Sequence, residues 1–146
     1  MSKIVGRSMT LSTFSSLLTV NADFISLQKE LEPADAASLS DLPGLRHFGP
    51  EQEDFADTAA MISQVDLVVS VDTSIAHLSG ALGKETWVLL PYAADWRWLE
   101  NRSDCPWYSS VKLFRQTIPG NWSSAFDDIR QGLLQKITSN VSSVPL

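Results

Sequence analysis

The sequence predicts an α/β domain: a Rossmann-like, three-layer arrangement on a mostly parallel sheet, with its first strand short or missing. Three observations carry this. Short apolar runs alternate with amphipathic or polar stretches of helical length from one end of the chain to the other. Two of the runs, residues 66–71 and 86–90, are nearly continuous in apolar character, as strands covered on both faces are. The connections between runs are short, which favours right-handed parallel crossovers. The 146 residues form a single predicted domain, 1–146, long enough to bury a core without staples.

Taken in order, Ile4-Val5 is a brief apolar touch, the stump of a strand. Residues 10–18 predict a helix in which Leu11, Phe14 and Leu18 share a face and Ser8 or Thr10 supplies the cap. Residues 24–27 are β-branched and aromatic, a strand. Residues 30–43 are polar and proline-containing, a loop or short helix; 45–48 form a second short strand, closed by Gly49-Pro50. A helix over 54–65 gathers Phe55, Ala59 and Ile62 on one side. After the strand 66–71, a helix over 73–82 turns Ile75, Leu78 and Leu82 inward and stops at Gly83, a natural C′ residue. The strand 86–90 ends at Pro91. Residues 92–108 are loop-rich with a short helix near 95–99, and strand 110–114 and helix 121–138 follow, leaving 139–146 as a frayed tail.

Composition excludes several classes. The formal charge of −6 argues against a nucleic-acid or anionic-membrane partner, so any anion site must rely on backbone groups and one or two cations. One cysteine, Cys105, rules out a disulfide framework and suits a reducing compartment. With only His47 and His77 beside it, a structural zinc site is not expected. No apolar run reaches the roughly 18 residues of a spanning helix. The first ten residues lack the apolar core of a signal peptide. The expectation is a cytoplasmic protein. Five tryptophans, all in the second half, suggest a shaped surface there.

The chemistry-bearing stretch is SVDTSIAHLSGALG, residues 70–83. It lies where a buried strand passes into a helix, at the carboxyl edge where open parallel sheets bind ligands. The first N–H groups of a helix lack internal partners and sit at the positive end of its dipole, which makes an anion site. Thr73 and Ser74 are placed to face such a ligand, with His77 one turn further along. Asp72 would repel an anion and fits better as the N-cap. The same residues are equally the composition of an ordinary cap beside a half-buried histidine. A dinucleotide fingerprint, a P-loop and a hydrolase triad are all absent.

DFADTA, the SVDTS-x-x-H corner and WVLLP together, with FISLQKE and SDCPWYSSVKLFRQ, resemble the C-terminal half of family 9 glycosyltransferases. These are heptosyltransferase-like enzymes of the GT-B fold. The similarity extends to domains at the ends of bacterial tetratricopeptide-repeat proteins. The resemblance implies a domain that binds a nucleotide-diphosphate sugar without a metal. Asp72, Thr73 and Ser74 match the turn whose amides hold the diphosphate, with Ser74 in place of a glycine. His77 matches a histidine of the same helix, and Arg7 a basic residue toward the phosphates. Gln28 and Lys29 would lie on the nucleoside side, and the loop with Asp95, Trp96 and Arg97 near the site. Trp96 and Trp98 are expected to pack rather than to touch sugar. The chemistry implied is glycosyl transfer with inversion. The general base comes from an N-terminal half, so this chain is expected to bind a donor without catalysing alone. A shortened first strand would leave an association surface, predicting a homodimer, segment exchange or pairing with such a half. The alternative is a non-catalytic α/β interaction or scaffold domain that has lost the donor.

Overall fold

The computed structural model describes residues 9–142. Five strands and five α-helices run in the order α1 (Leu11–Phe14), β1 (Phe24–Ser26), α2 (Pro33–Leu39), β2 (Leu45–His47), α3 (Phe55–Gln64), β3 (Val68–Val71), α4 (Ser74–Ala81), β4 (Thr86–Leu90), β5 (Val111–Arg115) and α5 (Ser123–Ser142), with short 3₁₀ turns between some of them. The class is α/β and every strand pairing is parallel, compatible with a Rossmann-like fold. The single sheet expected from sequence is instead two small ones, β2-β1 and β3-β4-β5.

The helices explain how the two sheets relate. β4 is buried at every position and alternates its side chains between two clusters. On one face Trp87 and Leu89 meet Leu17, Val20, Phe126 and Ile129; on the other Val88 and Leu90 meet Ala76, Trp98 and Val111. α5 and the residues after α1 therefore cover the first face and α4 the second. α1 joins the first face through Phe14, edge-on to Phe126 at 5.4 Å, and α2 packs beside α1, where Asp35 accepts the Leu11 N–H at 2.8 Å. Right-handed crossovers through opposite faces step in opposite directions. With α2 beside α1 on the first face and α4 on the second, the steps β1 to β2 and β3 to β4 run in opposite directions. Phe24 of β1 and Val69 and Val71 of β3 pack on the same cluster, so both sheets share one layer.

Local details depart from the sequence reading where tertiary packing decides. The helix predicted over 10–18 breaks after Phe14 and resumes as the 3₁₀ turn Leu17–Thr19, which buries Leu17 and Val20 rather than Leu18. In α3, Ile62 and Thr58 are buried but Phe55 is exposed. α5 continues to Ser142, four residues past the predicted end at Thr138. The predicted strand stump at Ile4-Val5 and the last four residues of the predicted tail lie outside the described residues. No helix among the described residues is long and apolar enough to cross a membrane.

α3 also shows what a fully capped helix looks like in this chain. Asp54 accepts from the N–H groups of Ala56 and Asp57, while Asp57 accepts from the N–H of Asp54, a reciprocal capping box. Asp54→Ala should lower the unfolding free energy by about 1 kcal/mol, measured by urea denaturation, because two helix donors lose their acceptor.

Candidate functional site: the β3–α4 corner

β3 ends at Val71 and α4 starts at Ser74. The N-cap is Thr73, in extended conformation (φ −137°, ψ 174°), and not Asp72 as expected. Asp72 lies in the bend between the two elements and is buried, 3% exposed. Thr73 makes no side-chain cap. Its hydroxyl is engaged with the Ser70 hydroxyl at 3.2 Å. The N–H groups of Ser74, Ile75 and Ala76 therefore have no acceptor among the described residues; the first intrahelical bond runs from His77 N–H to Thr73 O at 3.4 Å. In contrast to α3, these donors are unmet among the described residues, and Ser74 is exposed.

α4 rests on the sheet by its small residues. Ala76, Ser79 and Gly80 are buried, whereas Ile75 and Leu78 are half-buried and Leu82 is exposed, a rotation from the predicted face. Tyr108 dictates the rotation: a Cβ on Gly80 would come within 2.7 Å of its ring. The Ser79 hydroxyl bonds Thr86 of β4 at 2.6 Å. At the far end Gly83 adopts φ +70°, and Lys84 and Gly83 return N–H bonds to Ser79 and Gly80, a Schellman stop matching the predicted C′ glycine.

His77 is held on three sides. Its ring stacks on Trp98 at 5.2 Å and meets Tyr108 edge-on at 6.0 Å. Tyr108 Oη lies 3.4 Å from Nδ1, and Asp72 Oδ1 lies 3.6 Å from Nε2. Trp98 is fully buried, as expected of a packing tryptophan. Trp96, two residues away, is not: it is 76% exposed, which corrects the expectation that both would pack. The two belong to the 3₁₀ turn Trp96–Trp98, whose N-cap is Asp95. Asp95 accepts Arg97 Nε at 2.9 Å and Nη2 at 3.2 Å. Those bonds hold the Arg97 pKa above its ordinary value, and the negative charges of Asp95 and Asp72 add to the effect. Arg115 at the end of β5 fastens the same turn, donating to the carbonyls of Trp98 and Leu99 at 2.7 and 2.5 Å. Leu99 needs that anchoring, since it sits at φ +54°. Burial lowers the Arg115 pKa from its usual value.

The structure thus brings together Asp72, Thr73, Ser74, His77 and the Asp95–Arg97 turn. Gln28 and Lys29 stand apart, exposed beyond β1. Lys29 Nζ donates to Glu53 O at 2.7 Å, beside the α3 cap. Arg7 lies outside the described residues. Trp98, Tyr108 and Arg115 were missed as components of the corner. A W-x-W pair next to an Asp cap hinted at Trp98; nothing local marks Tyr108, 31 residues from His77. No protein-family model matches the chain, nor does any curated protein or solved structure.

Chemically, the corner offers three backbone donors with no acceptor among the described residues, the exposed Ser74 hydroxyl, the positive end of a helix dipole and the Arg97 guanidinium paired with Asp95. Asp72 and Asp95 oppose a full negative field. Such a set can hold a compact anion by directed hydrogen bonds more than by net charge.

Proposed function

We propose that this chain binds the diphosphate of a nucleotide sugar at the β3–α4 corner, as the donor-binding half of an inverting glycosyltransferase. The observation that carries the reading is the N-terminus of α4, without a side-chain cap, at the carboxyl edge of the parallel sheet β3-β4-β5. In this reading the amides of Ser74, Ile75 and Ala76 hold the diphosphate, Ser74 adds its hydroxyl, and Arg7 supplies a cation. Asp72 and His77 shape the turn. Gln28 and Lys29 stand on the nucleoside side, and the Asp95–Arg97 turn borders the sugar. The same donors would stabilise the leaving diphosphate as charge develops on it. None of these residues is assigned as general base, so the proposed activity is donor binding. No metal has a role in it. A cytoplasmic location belongs to the same reading, in keeping with the lone buried thiol of Cys105.

The test is a thermal-shift titration with UDP, ADP and GDP. A ligand at 100 times its Kd adds about 2.7 kcal/mol to stability, which moves Tm by several degrees in a domain of this size. A flat response to all three at millimolar concentration overturns the reading. The exposed Trp96, Trp107 and Tyr92 favour the second one, an α/β interaction domain whose partner covers that aromatic surface.

A further inference from the structure

Trp96 and Trp107 are exposed, 76% and 59%, yet both are fixed in place. Trp107 donates its Nε1–H to the Arg97 carbonyl at 2.6 Å, which holds its ring against the turn that carries Trp96. That turn is tied at further points. Asp95 accepts the Arg97 backbone N–H at 3.0 Å, and Trp98 is sunk in the core. Arg115 donates to the carbonyls of Trp98, Leu99 and Arg102. These ties hold Leu99 at φ +54°, ψ −180°, a conformation that glycine favours and a leucine adopts only under constraint. Constrained backbone of this kind collects at ligand clamps, and rigid exposed aromatics bind with little loss of conformational freedom.

What this surface offers narrows its ligand. The polar edge of Trp107 is already bonded, so its ring faces and C–H edge are what remain. Of the five N–H donors on the Arg97 side chain, two go to Asp95, which leaves three on a group that is 41% exposed. Aromatic faces beside a planar set of donors suit a ring with C–H hydrogens on its faces and hydroxyls on its rim. Charge points the same way. Asp95, Glu100 and Asp104 are balanced by Arg97, Arg102 and Arg115, so the patch is neutral within a chain of charge −6, and that net charge disfavours a nucleic acid. Area argues against a protein partner. The two indoles expose roughly 300–400 Å². Even with Leu99 added, that falls well short of the about 800 Å² that each side of a stable protein interface buries.

We propose that Trp96 and Trp107, with Arg97 of the same turn, form a platform for a neutral saccharide of gluco configuration. Equatorial hydroxyls leave the axial C–H groups on both faces of such a ring. Those hydrogens meet the negative faces of the indoles, and the hydroxyls on the rim accept from Arg97. The platform does not rest on the nucleotide reading, since it uses none of the α4 amides.

Titration of the intact chain with cellotetraose, without any nucleotide and followed by the indole N–H signals of isotope-labelled protein, tests this. The Trp96 and Trp107 signals should move with a common Kd of about 1 mM or tighter, while those of Trp87 and Trp122 stay in place. Trp96→Ala removes an exposed ring and leaves the core intact. It should weaken binding about tenfold, read at Trp107, and Trp96→Phe should recover part of that loss. No movement of either signal at about 10 mM cellotetraose overturns the proposal, as does binding that Trp96→Ala leaves unchanged. Signals that shift on dilution of the chain alone, with a dimer mass by light scattering, give the surface to a second copy and overturn it too. A flat nucleotide titration leaves this result standing, and a flat saccharide titration leaves the donor reading standing.

Discussion

Trp98→Ala should remove about 3–5 kcal/mol of unfolding free energy, the range for truncating a fully buried aromatic in a core that only partly collapses. Trp98 is 0% exposed and the largest of the fully buried side chains. It closes the cluster formed by Ala76, Val88, Leu90 and Val111, and its ring is the platform on which His77 stacks at 5.2 Å. A domain of this length has a total stability of only about 5–15 kcal/mol, so the variant should sit near its unfolding midpoint at modest urea concentration. Trp98→Phe separates packing from polarity. It keeps an aromatic platform and deletes an indole N–H that has no acceptor among the described residues. Losing an unsatisfied donor offsets part of the cavity, so the cost should be about 1–2 kcal/mol. Equal losses in the two variants, read from urea midpoints, would show that the ring's volume is not what stabilises this face.

The same tryptophan shows where sequence reasoning stops. Both buried strands were legible because VVSV and TWVLL are apolar without alternation, which only a doubly covered strand requires. The stop at Gly83 was legible too, because it depends on neighbours within a few residues. What was not legible depends on contacts distant in sequence. Trp96 and Trp98 are identical by composition, yet a 3₁₀ turn sends one into the core and one into solvent. The face of α4 was misread because leucines usually point inward; here Tyr108 approaches so closely that only Gly80 and its small neighbours fit. Asp72 looked like the cap, but Thr73 holds that position and Asp72 is buried in the preceding bend. The division of the strands into two small sheets was not anticipated, and no local pattern records it.

The second large effect concerns the corner itself. Ser74→Pro should weaken binding of whichever nucleotide diphosphate responds best by about tenfold, equivalent to about 1.4 kcal/mol. Ser74 is the first helical residue of α4, the position where proline is best tolerated, because its N–H is an orphan in any case. Thr73 already has the extended conformation that a residue before proline prefers (φ −137°, ψ 174°). The substitution therefore deletes one amide donor and one hydroxyl while leaving the helix intact, and Tm without ligand should stay within about 2 °C of the parent. Ser74→Ala removes the hydroxyl and keeps the amide, so it should weaken binding only about two- to threefold if the backbone supplies most of the interaction, as at other helix-terminal anion sites. A proline variant that binds as tightly as the parent would remove the α4 amides from the site. Equal losses in the proline and alanine variants would transfer the role to the serine hydroxyl. The ordering proline, alanine, parent, from weakest to tightest, is what a cradle of backbone donors requires.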